Sequence, residues 1–312
     1  MLAACATPTA SAGAAAAGPD AERAVAPGGV AGLYGGGAVR DYLQFVSVRV
    51  TPRGRFTARA TLVTKCAPRF GDALTESVAV RDQAFSSRGR YSATTAFSDD
   101  IERGVPDVGG LRAEGTIVFS ARLHAAAGGS SGARDGRASG FIRVRTTYVD
   151  PGSGEELARC DTGRIRWVAR RPGLQAGAGA VPGLARGRAL RGTTGQGEPF
   201  LMRTAAGGGS VRRAGLTVRV GCVSAVGLSL DVVAHRVRIR RGRFGARDTF
   251  RRTFTYPDGR EVVERYAWRL RGRFGERGAR GTFRMRGVVT RVADGRRIGS
   301  CSTGSVAWRA VP

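Results

Sequence analysis

The residues best placed to do chemistry are arginines at alternate positions: Arg236, Arg238 and Arg240, then Arg269, Arg271 and Arg273, then Arg284 and Arg286. In an extended chain residues two apart share a face, so these eight side chains would tile one side of a sheet if their strands are neighbours. Guanidinium is a permanent planar cation whose N–H donors match the oxygens of carboxylates and phosphates. The chemistry this predicts is non-catalytic binding of a polyanion, such as an anionic cell-envelope polymer or surface. No specific nucleic acid is expected, because few aromatics interleave with the arginines and no nucleic-acid motif occurs. Codon bias is a plainer origin for the charge: Lys65 is the one lysine among 51 basic residues, and the formal net charge is +27. The charge is unevenly shared. Residues 205–312 hold 24 Arg against 7 acids, while residues 31–171 hold 22 basic residues against 14 acids.

Catalytic chemistry has weaker candidates. Asp99, Asp100 and Glu102, or Asp258, Glu261 and Glu264, could supply a glycosidase-type carboxylate pair, for which separation in space decides the reaction. Both groups lie in polar, turn-like stretches and neither recurs elsewhere, so they read as surface loops. An extracellular carbohydrate-active enzyme, with such a pair in a sandwich cleft, is the alternative to a binding or structural module. His124 and His235 have no Cys or His beside them at ligand spacing, which argues against a zinc or iron site, and no cofactor is predicted. No nucleophile elbow, P-loop or dinucleotide fingerprint is present.

The elements that must position these residues are announced by a repeat. Cys160-Asp161-Thr162-Gly163-Arg164-Ile165-Arg166-Trp167 returns as Cys301-Ser302-Thr303-Gly304-Ser305-Val306-Ala307-Trp308. The match runs upstream without a gap to Gly140 and Gly281 and includes Arg143 and Arg145 against Arg284 and Arg286. Cys66 and Cys222 are the early cysteines of the two copies. Four cysteines allow three pairings, and spacing alone leaves them open. Duplication favours Cys66 with Cys160 and Cys222 with Cys301, since a unit that once folded alone would have closed its own bridge.

Gly140-Phe141-Ile142-Arg143-Val144-Arg145 and Gly281-Thr282-Phe283-Arg284-Met285-Arg286 alternate apolar and charged residues, as strands buried on one side do. Tyr256-Pro257-Asp258-Gly259 reads as a turn. No segment has convincing helical periodicity. The fold class expected is all-β: two tandem antiparallel, jelly-roll-like β-sandwich domains, each closed by one disulfide, behind a disordered N-terminal segment. The boundaries expected are 1–32 for an export-signal remnant or tether, 33–171 for the first repeat, 172–191 for a linker and 192–312 for the basic second repeat. Trp167 and Trp308 share strand faces with Ile165 and Val306 and read as core.

Tandem units with an early cysteine and a Cys-x-Thr-Gly-x-x-x-Trp ending resemble a group of uncharacterised secreted β-sandwich proteins of GC-rich bacteria. The resemblance covers most of residues 33–312, and the ending is its specific part. The first unit departs from it by an insertion around Ala125 to Arg134. What the resemblance implies is a sandwich fold and export; it carries no activity. Export also fits the N-terminus, where Leu2-Ala3-Ala4-Cys5 has lipobox form, with Cys5 as the lipidation candidate, and Ala10-Ser11-Ala12 has the form of a signal-peptidase site. The basic and apolar regions that should precede either are missing from the sequence, as a start codon assigned too far downstream would leave it. No run of 18 apolar residues exists, so no transmembrane helix is expected. The localisation expected is extracellular or attached to the cell envelope.

Overall fold

The computed structural model describes residues 9–12, 31–39, 42–68, 74–101, 111–124, 136–172, 186–223, 225–255, 261–276 and 278–312. Cys5, Glu102, Asp258 with its expected turn, and the insertion 125–134 lie outside them. Every described element is a strand. The first unit comprises β1 (Thr9–Ala12), β2 (Gly32–Val39), β3 (Leu43–Val50), β4 (Arg55–Pro68), β5 (Leu74–Ala84), β6 (Arg90–Ile101), β7 (Leu111–His124), β8 (Gly136–Val149), β9 (Glu156–Asp161) and β10 (Ile165–Arg171). The second comprises β11 (Ala189–Thr194), β12 (Pro199–Thr204), β13 (Ser210–Cys222), β14 (Ala225–Arg240), β15 (Arg243–Thr255), β16 (Glu261–Gly275), β17 (Gly278–Arg291), β18 (Arg297–Ser302) and β19 (Val306–Val311). Chain contacts divide the two between Leu174 and Gln175. The all-β, sandwich-like character expected from the alternating pattern is what is found.

The repeat holds strand by strand, β2 to β10 answering β11 to β19. In the second unit consecutive strands pair as a meander from β11 to β17, and β19 pairs both β17 and β11, so the sheet curls back on itself. β12 also pairs β13, and β18 bridges β17 and β13. Between β14 and β15 the ladder is short, joining only Ile239 to Phe244 and Arg240 to Arg243. The first unit repeats these pairings, with β2 beside β10 and β9 bridging β8 and β4, except that among the described residues no β5–β6 ladder answers the short one between β14 and β15. The linker expectation needs a small correction: Ala189 to Arg191 already belong to β11, whose pairing to β12 and β19 orders them.

Within the N-terminal segment, Thr9–Ala12 of β1 lie parallel to Ser77–Val80 of β5. Edge pairing uses backbone groups alone, so small Ala, Ser and Thr residues suffice for it.

The curl encloses one main apolar cluster in each unit, with Trp167 and Trp308 among its most buried members. Phe119 stacks on Trp167 at 5.6 Å and Phe200 on Trp308 at 4.0 Å between centroids. The glycines shared by the repeats explain themselves here. Gly140 and Gly281 are the register partners of Trp167 and Trp308. A Cβ at Gly281 would lie 1.9 Å from the Arg271 carbonyl oxygen and 2.6 Å from the Trp308 ring, and at Gly140 1.8 Å from the Ser120 oxygen. Both disulfides are the ones duplication favoured, Cys66–Cys160 and Cys222–Cys301, and each joins direct register partners.

Candidate functional site

The outward faces of β15, β16 and β17 form an arginine lattice. Odd-numbered residues of β15 and even-numbered residues of β17 point out, because Phe244, Phe283 and Met285 take the opposite parity into the core. Register then places Arg247, Arg269 and Arg284 in one row across three strands. A second row runs Arg240, Arg243, Arg273, Arg280 and Arg309, from β14 to β19. Arg271 stands between the rows, and Arg286 lies beyond them beside Ala267. Neighbouring guanidiniums are thus rooted about 4.8 Å apart across strands and about 6.8 Å apart along them. Among the described residues, the outward positions of these three strands hold one acid, Glu261 at the start of β16. Like charges set directly opposite each other are destabilising, so the lattice is more comfortable with counter-anions upon it.

Of the eight arginines expected to share a face, Arg240, Arg269, Arg271, Arg273, Arg284 and Arg286 do so. Arg236 does not, and Arg238 shares the outward side of β14 with Arg240 but has no register partner on β15. β15 intervenes between β14 and β16, and β14 has parted from β15 before Arg238 is reached. Arg236 takes a φ of 51° and sits at a kink that switches the inward residues from Val232 and Ala234 to Val237 and Ile239. Arg243, Arg247, Arg280 and Arg309 were missed in sequence because their place depends on register; the alternation of Arg243 and Arg247 was the available signal.

The first unit treats the same face differently. Arg143 donates to both Asp161 oxygens, at 3.1 and 2.6 Å, and Arg145 to one, at 3.4 Å. Arg143, then the Gly163 N–H and Arg145, hold the Asp161 carboxyl below its ordinary range. Elsewhere on this unit, an open depression of about 400 Å³ is lined by Arg90, Arg122, Ser92, Ser120 and Ser139. His124 Nε2 lies 2.7 Å from Ser139 Oγ, and burial, then Arg137, Arg122 and Arg170, lower its pKa.

Of the carboxylates expected in loops, the described ones, Asp99, Asp100, Glu261 and Glu264, are on strands. Glu264 faces inward and is bound by Arg252 Nε at 2.5 Å, both side chains being 8% exposed. Tyr266 donates its hydroxyl to Glu264 at 2.8 Å, and burial, then Glu264, push Tyr266 up to about 12, so it remains a neutral donor. Glu261 is exposed at the strand end, and Asp99 is half-buried on β6. Sequence reasoning overlooked a different pair, Glu198 and Asp231. Thr217 Oγ1 donates to Asp231 at 2.5 Å, and Arg219 pairs with Glu198 at 3.2 Å. Burial raises Asp231 to about 6, with the neighbouring Glu198 charge adding to the effect. Its unfolded value of 3.8 is lower, so the folded state binds the extra proton and stability is lost as pH rises from about 4 to 6. Asp231→Asn is expected to remove that loss, gaining up to about 3 kcal/mol at pH 7 in thermal melts. Equal pH dependence in both proteins would contradict it.

Among the described residues no group of three or more His, Cys, Asp or Glu could hold a metal ion, and no helix is long and apolar enough to cross a membrane. Compared with known protein families, curated proteins and solved structures, the chain matches none.

Proposed function

We propose that this protein is an exported, non-catalytic binding module of the cell envelope, whose second unit holds anionic polymers on the outward face of β15, β16 and β17. The observation that carries the reading is the pair of arginine rows, Arg247–Arg269–Arg284 and Arg240–Arg243–Arg273–Arg280–Arg309, set on a nearly acid-free face. The two disulfides favour an oxidising compartment, and Cys5 is the candidate anchor. The likeness of the repeat ending to secreted sandwich proteins supports export. A carbohydrate-active enzyme is the second reading, favoured by the raised Asp231 beside Glu198, the pattern of a general acid next to an ionised partner. Its test is hydrolysis of an oligosaccharide panel by wild type and by Asp231→Asn. Activity abolished by that change would replace the binding reading.

The binding reading is tested with polygalacturonate and two triple reversals of equal charge change. Arg243, Arg269 and Arg273 to Glu lie on the lattice; Arg203, Arg212 and Arg236 to Glu are exposed elsewhere on the same unit. At ~50 mM salt the first set is expected to lose about 100-fold in affinity and the second about tenfold or less, with wild-type binding falling steeply as salt rises. Affinity should vary little between about pH 5 and 8, since arginine keeps its charge. Equal losses from the two sets would reduce the lattice to bulk charge.

A further inference from the structure

We infer that Arg284, Arg286 and Ser302 form a discrete site in the second unit for a carboxylate group from outside, in the place where the first unit carries its own carboxylate, Asp161. The inference deepens the polyanion reading and rests on it.

The two units are built alike around this point. Arg143 and Arg145 on β8 correspond to Arg284 and Arg286 on β17. Arg145 pairs in register with Asp161, and Arg286 pairs in register with Ser302. The turn that follows matches bond for bond. Val144 N donates to Thr162 Oγ1 at 2.9 Å, as Met285 N does to Thr303 Oγ1 at 2.9 Å. Thr162 Oγ1 donates to the Gly163 carbonyl at 2.8 Å, as Thr303 Oγ1 does to that of Gly304 at 2.9 Å. Gly163 and Gly304 both take φ of 62°. Gly163 N donates to Asp161 Oδ1 at 2.7 Å, and Gly304 N to Ser302 Oγ at 3.1 Å.

Only the charge differs. In the first unit one planar carboxylate receives two N–H groups of Arg143, one of Arg145 and the Gly163 N–H. In the second unit a hydroxyl replaces it, and among the described residues no carboxylate pairs with Arg284 or Arg286, both exposed. Ser302 accepts from Gly304, which leaves its own O–H to donate outward. Two guanidiniums and a hydroxyl then converge where Asp161 shows that a carboxylate fits. A carboxylate is favoured over a tetrahedral anion because the frame is the one that holds a planar group in the first unit.

The experiment uses the whole protein and a short oligogalacturonate, with binding and stoichiometry read by calorimetry and the Arg284 and Arg286 Nε–H signals read by NMR. Ser302→Asp would fill the site with an internal carboxylate, and Asp161 shows that the turn accommodates it. It is expected to lose about tenfold or more in affinity and to remove the Nε–H perturbation, the cost of a charge-assisted contact. Thr249→Asp, of equal charge and exposed on the same lattice, should lose much less. Asp161→Ser should give the first unit the arrangement of the second and add one site. Wild type that binds while Ser302→Asp and Thr249→Asp lose equally would overturn the site and leave the lattice reading standing. Wild type that binds no polyanion would overturn both. Perturbation of the same Nε–H signals by inorganic phosphate as strongly as by oligogalacturonate would overturn the assignment to carboxylate.

Discussion

Replacing Cys222 and Cys301 together by Ala is expected to lower the stability of the second unit by about 4–5 kcal/mol. The bridge closes a loop spanning 79 positions that contains all of β14 to β17. Opening it returns to the unfolded chain the freedom the cross-link removes, and the loss is large beside a total stability of about 5–15 kcal/mol. The Cα atoms are 4.0 Å apart, as direct cross-strand partners are, so Ala at both positions leaves the β13–β18 pairing sterically possible. The corresponding change at Cys66 and Cys160, with a separation of 94, should cost nearly the same, because loop entropy grows only with the logarithm of length. Urea denaturation of both double variants, monitored by tryptophan fluorescence, measures it. A loss under about 1 kcal/mol in either would show that the unfolded chain is already compact there.

Arg252→Ala should be comparably damaging, at about 3–5 kcal/mol, because it strands Glu264 in the interior without its counter-charge. The pair itself is dispensable to the fold. In the first unit the positions of Arg252, Glu264 and Tyr266 are taken by Asp99, Ala113 and Gly115, and the same ladder forms. A double variant, Arg252→Met with Glu264→Met, is therefore expected to lie within about 1–2 kcal/mol of wild type. The difference between single and double variants is the coupling energy, and a double-mutant cycle in urea gives it directly. A single variant as stable as wild type would mean that Glu264 reaches water when Arg252 is gone.

These two sites, one shared by the repeats and one not, separate what the repeats hold in common from what each has acquired. The bridge, the glycine under the tryptophan and the Thr-Gly turn recur because each fixes the curl of the sheet. The lattice and the Arg252–Glu264–Tyr266 cluster belong to the second unit alone. Changes on an outward face alter charge without altering closure, so they are free to diverge after duplication.

The amino-acid sequence by itself already declares the strands, the two-fold repetition and the disulfide pairing that duplication favours. Alternation is local, since a residue's face depends only on its immediate neighbours in an extended segment. The cysteine pairing follows from duplication, which makes each copy answer for its own closure. The arginines on β16 and β17 could be given a common face for the same reason. What the sequence does not contain is which strand lies beside which, and at what register. The place of β15 between β14 and β16, the kink at Arg236 and the early parting of β14 from β15 are set by how the whole sheet closes around Trp308 and Phe200. The opposition of Asp161 to Arg145, and of Ser302 to Arg286, is a register fact of the same kind. Closure and register are fixed by contacts between residues far apart in the chain, where a shift of one position would turn every side chain to the other face.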